Sequence, residues 1–245
     1  QRDNNYSKPE IVDTDKSFVD IRDMRHPIVE RIDTSCEYVV NNIVLGDVVD
    51  GVLLFGTNAC GKSTFMKASG VNLIMAQAGL YVASSSFRFS PYTKIFTRIL
   101  NNDNIFRSQS TFAVEMEEIR TIIDVADHKT LVLGDEVCNG TETTSAISIV
   151  YSTIKHLCNV KSSFIFTSHF HQLTKIPDIQ QLNNLSIYHL AIDNIDGRLI
   201  YNRKLKLGPG PSIYGIRVCE ALGLPQSILE NALHIQKKIE NIGVA

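Results

Sequence analysis

Apolar runs and apolar stripes alternate along this chain. Val52–Phe55 is a short continuous apolar run between Gly51 and Gly56, the pattern of a strand buried on both faces in a parallel sheet. Lys62–Ala78, rich in Ala, Met and Leu, predicts a helix. Lys94–Leu100 reads as a further strand. Thr111–Ala126 sets Phe112, Met116, Ile119, Ile123 and Ala126 on one face at helical spacing. Thr130–Leu133 predicts a second buried strand. Ala146, Ile149, Val150, Thr153 and Leu157 mark the next helix, and Ser163–Thr167 a third apolar strand. Strands alternating with helices predict an α/β fold, a mainly parallel sheet with helices on both faces.

The two ends have a different texture. Residues 1–17 are polar and carry Pro9, so they read as a linker, whereas Phe18–Glu30 shows no single period. Glu37–Leu45 reads as extended, through Tyr38, Val39, Val40, Ile43 and Val44. Leu185–Ile192 and Arg198–Leu207 predict two strands joined by Asp193-Asn194-Ile195-Asp196-Gly197, a hairpin signal that makes the sheet mixed. Gly208-Pro209-Gly210-Pro211 breaks the chain. Helices around Tyr214–Leu222 and Gln226–Ile239 follow, separated by Gly223 and Pro225, a stop and then a start.

Composition bounds the picture. The 245 residues, 44% hydrophobic, suffice for one well-buried domain with at most a small appendage. The net charge of −2 excludes a general basic surplus for nucleic acid, so any DNA contact needs a local patch or absent parts. Lys204 and Lys206 alternate with Leu205 and Leu207, which suits the solvated face of a strand better than a DNA contact. Cys36, Cys60, Cys138, Cys158 and Cys219 are scattered and form no CxxC pair. That argues against a disulfide framework or zinc site and for a reducing, intracellular compartment. No signal peptide and no bilayer-length apolar run is present. The chain begins at Gln1 rather than Met, and reads as a fragment.

The chemistry sits at strand ends. Gly56-Thr57-Asn58-Ala59-Cys60-Gly61-Lys62-Ser63 matches G-x-x-x-x-G-K-[ST] between an apolar strand and a helix. In such a loop glycines let backbone N–H groups wrap phosphate oxygens, and the helix N-terminus adds partial positive charge. Gly56, Asn58, Gly61, Lys62, Ser63 and Thr64 are therefore candidate nucleotide-binding residues. Lys62 would reach the outer phosphates of ATP, and the Ser63 hydroxyl would ligate Mg²⁺. Leu131-Val132-Leu133-Gly134-Asp135-Glu136 ends an apolar strand in two carboxylates, at the edge where open α/β sheets bind ligands. Asp135 would help hold Mg²⁺, and Glu136 is a candidate base for the attacking water. His169, after the strand Ser163–Thr167, either senses the γ-phosphate or is a packed or surface histidine. Ser110-Thr111 opens a helix, as an N-cap or as a donor to a phosphate.

These stretches together resemble the ATPase domain of MutS, the DNA mismatch-recognition proteins, a branch of the ABC-type P-loop NTPases. The matching segments run from about Ile21 to about Ile235. They include Arg25–Glu30, Gly56–Lys67, Met75–Val82, Ile95–Ile99, Ser110–Met116, Asp135-Glu136 with Gly140-Thr141, Thr167–Phe170, and Tyr214-Gly215 with Ala221–Pro225. The resemblance implies an ATPase domain over residues 18–211 and a helix-turn-helix dimerisation segment over 212–245, with 1–17 a linker or the remnant of a preceding lever region. It implies that Tyr38 stacks on adenine beside Val39, that His169 is a switch histidine, and that Ser110 reaches a partner's nucleotide in trans. It implies a second MutS-like subunit, a homodimer in preference to a heterodimer, and mismatched double-stranded DNA held by domains absent from this chain. No membrane role is implied.

This sequence departs from the family pattern in places. Thr57 stands where Pro is usual, Ala59-Cys60 where Met-Gly is usual, and Asn139 where Arg precedes Gly-Thr. Cys60 would add bulk beside the phosphates. Cys138, with Glu142 in place of a usual Ser, resembles the organellar and large-DNA-virus branch. The function expected is ATP hydrolysis coupled to the conformation of a DNA clamp. The alternatives are a nucleotide-switched architectural or recombination protein of the same fold, without mismatch recognition, and another ABC ATPase. The lack of an LSGGQ-type sequence opposes the last.

Overall fold

The computed structural model describes residues 5–32, 37–57, 59–99, 111–195, 198–211 and 214–242. In chain order the strands are β1 (Glu10–Ile11), β2 (Phe18–Met24), β3 (Asn41–Leu45), β4 (Gly51–Phe55), β5 (Ser86–Ser90), β6 (Lys94–Arg98), β7 (Thr130–Gly134), β8 (Ser163–Ser168), β9 (Leu185–Ile195) and β10 (Arg198–Leu207). The helices are the single turn α1 (Val29–Ile32), then α2 (Lys62–Gln77), α3 (Thr111–Val125), α4 (Thr143–Asn159), α5 (Tyr214–Ala221) and α6 (Gln226–Ile242).

The larger sheet has the order β10-β9-β4-β8-β7-β6. Its neighbours are parallel except the β9–β10 hairpin. The expected mixed, mainly parallel sheet is therefore present. Alternation along its central strands separates two cores. Val52, Leu54, Leu131, Leu133 and Ile165 face α2, whereas Leu53, Phe55, Val132, Phe164 and Phe166 face α3 and α4. Burial on both faces is why these strands read as unbroken apolar runs.

A second sheet, in the order β1-β5-β2-β3, covers the far side of α2. Val19, Ile21, Phe87 and Phe89 pack there with Phe65, Met66 and Leu73 of the helix. α2 is thus sandwiched between two sheets, which explains why it lacks a clear polar face. Gly70 permits the approach: a Cβ there would lie 2.5 Å from Leu133 Cδ1. The fully buried Asn72 is satisfied on both ends of its amide. Its Nδ2 donates to the Arg25 and Ala68 carbonyls, both at 2.9 Å, and its Oδ1 accepts from the Ala83 amide at 2.7 Å.

This second sheet takes in part of residues 1–17, whose polar composition reads as a linker. Glu10–Ile11 pairs in parallel with β5, Ser7 bridges Val82, and Lys16 forms an ion pair with the buried Asp50. Residues 7–16 are therefore docked on the domain. Polar side chains hide these contacts, because an edge strand needs only backbone groups. β5 lies inside this sheet, and the Ser-rich stretch next to it masks its two buried aromatics, Phe87 and Phe89. The two C-terminal helices form where expected, α5 packing against α6 and β10. No helix among the described residues is long and apolar enough to cross a membrane.

Candidate functional site

The C-terminal ends of β4, β7 and β8 converge on one point. The loop after β4 turns sharply, with Gly56 at φ 152°, Ala59 at 65° and Gly61 at 107°. The last two angles fall in the left-handed region that glycine tolerates best. Asn58, expected among the binding residues, lies outside the described residues. Lys62, the first residue of α2, is buried. Its Nζ donates to the Gly56 carbonyl at 2.7 Å and the Thr57 carbonyl at 3.1 Å, so it closes the loop on itself. The bulk expected of Cys60 beside the phosphates goes elsewhere. Its fully buried side chain joins the core with Leu54 and Phe65, and a Cβ on Gly56 would meet its sulfur at 2.6 Å.

Asp135 gathers the three strands. Its Oδ1 accepts from Ser63 Oγ at 3.0 Å and from Thr167 Oγ1 at 2.6 Å. Its amide donates to the Arg98 carbonyl at 2.7 Å. Thr167 also accepts the Glu136 amide, at 2.9 Å. Glu136 Oε1 lies 3.6 Å from Lys62 Nζ. Its backbone is left-handed, at φ 48°, as is Cys138 at 66°, conformations that cost a non-glycine residue energy and cluster at functional sites. No period or motif gives Thr167 a role. Its signals in the sequence are a hydroxyl at the end of an apolar strand and a place in the matching segment Thr167–Phe170, which assigns it no role.

His169 comes within electrostatic reach of both Glu136 and Lys62. Burial holds its imidazole below the ordinary histidine pKa, Glu136 opposes that shift, and Lys62 adds to it. The ring leans on Phe170, 4.3 Å between centroids. His171, two residues on, stacks on Phe55 at 4.9 Å. Ser110 lies outside the described residues. α3 starts at the next position.

Two cavities share this edge. One, about 340 Å³, is lined by Thr57, Ala59, Gly61, Lys62, Ser63, Thr64, Asp135 and Glu136. The other, about 250 Å³, has Tyr38, Val39, Phe65 and Leu190 among its walls, and shares Ala59, Gly61 and Thr64 with the first. The shared residues make one cleft with a polar end and an apolar end, the shape a nucleotide requires. Arg203 also lines the apolar end. It sits with φ 58° where the β9–β10 register shifts, between Tyr201 and Leu205. Three bonds pin the Tyr38–Val39 segment beside that bulge. Asn41 Nδ2 donates to the Arg203 carbonyl at 2.9 Å, Asn41 Oδ1 accepts the Leu205 amide at 2.8 Å, and Lys204 Nζ donates to the Val40 carbonyl at 2.6 Å. Lys204 is exposed, as expected of the solvated face of a strand, and also tethers the Val40 carbonyl. A bulge cannot be read from alternation alone, so Arg203 carries no signal in the sequence.

The comparisons with known proteins agree with this geometry. The family model for MutS domain V matches residues 52–240. A mitochondrial DNA mismatch repair protein mutS homolog of Sarcophyton glaucum is 43% identical over 225 residues, covering 91% of this chain and 22% of that protein. A putative DNA mismatch repair protein mutS homolog of Acanthamoeba polyphaga mimivirus is 37% identical, covering 96% of this chain and 24% of its own. The DNA mismatch repair protein MutS of Lactobacillus johnsonii is 35% identical, covering 99% and 28% respectively. Organellar and viral relatives are among them, in keeping with Cys138 and Glu142. The chain spans about a quarter of the length of these relatives. With the family model running from β4 into α6, and the loop, paired carboxylates and cleft assembled on that frame, the chain belongs to the MutS family and carries its domain V.

Proposed function

We propose that this chain is the ATP-binding and ATP-hydrolysing domain of a MutS-type DNA mismatch repair protein. ATP state would set the conformation of a DNA clamp carried by domains outside this chain. The observation that carries the reading is the cluster at Asp135. Hydroxyls from the phosphate loop and from β8 meet on one carboxylate oxygen, with Lys62 and Glu136 beside it.

The polar end of the cleft binds the phosphates through backbone N–H groups and the N-terminus of α2. Lys62 exchanges its two loop carbonyls for phosphate oxygens. The Ser63 hydroxyl and the Asp135 carboxylate are hard oxygen donors and fit Mg²⁺, which takes one or two protein ligands and completes its shell with phosphate and water. Mg²⁺ held there would neutralise charge on the phosphates. Thr167 holds Asp135 in position and fixes the Glu136 amide, so the Glu136 carboxylate stays at the mouth of the cleft, where it accepts a proton from the attacking water. Tyr38 and Val39 bracket the base at the apolar end.

His169, next to Glu136 and Lys62, is placed to report the γ-phosphate to its surroundings. The second half of the site is Ser110, contributed by the partner of a dimer, a homodimer in the simplest arrangement. α5 and α6 would clasp that partner. On α6, Ile228, Ile235 and Ile239 share one face and are 53%, 44% and 43% exposed, an apolar stripe that fits an interface.

The test is Glu136→Gln. The variant should bind ATP with wild-type affinity while kcat falls about 100-fold or more, the scale of a lost general base. Unchanged turnover would remove Glu136 as the base.

A further inference from the structure

The structure assigns to Glu115 a positioning role: it holds the loop that carries Glu136 and ties that loop to the start of α3. The inference rests on Glu136 being the base, and extends it to a residue that touches neither phosphate nor water.

Glu115 is buried, 4% exposed, in the second turn of α3. Such a carboxylate must be satisfied by hydrogen bonds or charge. Its Oε1 accepts the Cys138 amide at 2.9 Å. Arg98, at the end of β6, stands 3.7 Å from Glu115 Oε1 and 3.1 Å from Glu118 Oε2. Arg98 Nε makes no aligned hydrogen bond, whereas the bond from Cys138 is directional.

The loop is clamped on both sides of Glu136. Upstream, the Asp135 amide donates to the Arg98 carbonyl and the Glu136 amide to Thr167. Downstream, the Cys138 amide donates to Glu115. Between the clamps, Glu136 and Cys138 are both held left-handed, a conformation that relaxes unless its surroundings enforce it. Removing Glu115 frees the downstream side, and Glu136 then loses its fixed aim. Glu115 and Cys138 lie 23 residues apart in the chain, so their bond links α3 directly to the loop after β7. The same contact makes the position of α3's first turns depend on Glu136's loop.

Three variants of this chain test the assignment. Glu115→Gln keeps an acceptor for the Cys138 amide and drops the charge. Glu115→Met keeps the length and has no amide-bonding oxygen. Glu115→Asp keeps the charge but withdraws it by one methylene, and serves if the Met variant does not fold. The readouts are kcat, KM for ATP, and hydrogen exchange at the Cys138 amide by NMR. Glu115→Gln should keep that amide protected and kcat within about threefold of wild type. Glu115→Met, or Glu115→Asp, should speed exchange and lower kcat about tenfold, the worth of one buried hydrogen bond, with KM within about twofold. Wild-type kcat alongside accelerated Cys138 exchange would overturn the positioning role. Unchanged exchange would overturn the contact itself. Glu136→Gln run in parallel separates the two claims: wild-type turnover there refutes the base assignment, and leaves the exchange comparison standing.

Discussion

Thr167→Val isolates the joint that the whole site depends on. Thr167 is 1% exposed, and valine matches its shape, so the change removes one hydroxyl and little else. That hydroxyl donates to Asp135 Oδ1 at 2.6 Å and accepts the Glu136 amide at 2.9 Å. A bond to an ionised acceptor contributes about 1.5–3 kcal/mol, and a buried amide left without a partner costs about 1–3 kcal/mol. Asp135 retains Ser63, and removing a buried hydroxyl recovers part of its own desolvation. The net loss expected is about 2–4 kcal/mol. For a chain of this size that lowers Tm by roughly 4–16 °C, and the protein stays folded against a typical stability of about 5–15 kcal/mol. The functional signature is sharper. With Asp135 and Glu136 both loosened, the Mg²⁺ concentration for half-maximal turnover should rise while Mg²⁺-independent nucleotide affinity changes little. Urea unfolding and a Mg²⁺ titration of turnover read the two effects. A variant within about 0.5 kcal/mol of wild type, with an unmoved Mg²⁺ dependence, would show that Thr167 does not organise the site.

Two further outcomes are expected. His169, His171 and His26 each have a pKa held below the ordinary 6.5, chiefly by burial. Below that value the unfolded chain therefore takes up protons that the folded chain refuses. Stability should be complete above pH 6.5 and decline as pH falls towards the folded pKa values, so the urea midpoint should drop between about pH 7.5 and about pH 5.5. A flat midpoint would contradict the burial of these rings. Second, the proposed action of Ser110 across a dimer predicts that the turnover rate per chain climbs with protein concentration. Brisk hydrolysis at a rate independent of concentration would sink the trans arrangement.

The elements that alternation and local motif define are legible in the amino-acid sequence. β4, β7 and β8 stand out because burial on both faces makes a strand uniformly apolar. The phosphate loop with Lys62 and Ser63 is readable because its motif sets residue types at fixed spacing along one stretch of chain, and Asp135 and Glu136 because they close an apolar strand. The elements around β1, β2 and β5 are not. β1 pairs through backbone groups that every residue carries, so the polar stretch 1–17 conceals it, and the short apolar alternations of β2 and β5 are masked by polar neighbours such as Ser84–Ser86. Contacts between distant segments are equally hidden. Thr167 on Asp135, Glu115 on the Cys138 amide, Arg203 beside Tyr38 and Cys60 turned into the core each join residues that no period or motif relates. Local sequence settles what a segment is, through the solvent it must avoid and the turns it can make. Which side chain completes another's hydrogen bond is settled only when the sheets and α2 close on one another, because that choice belongs to distances in space and not to spacing along the chain.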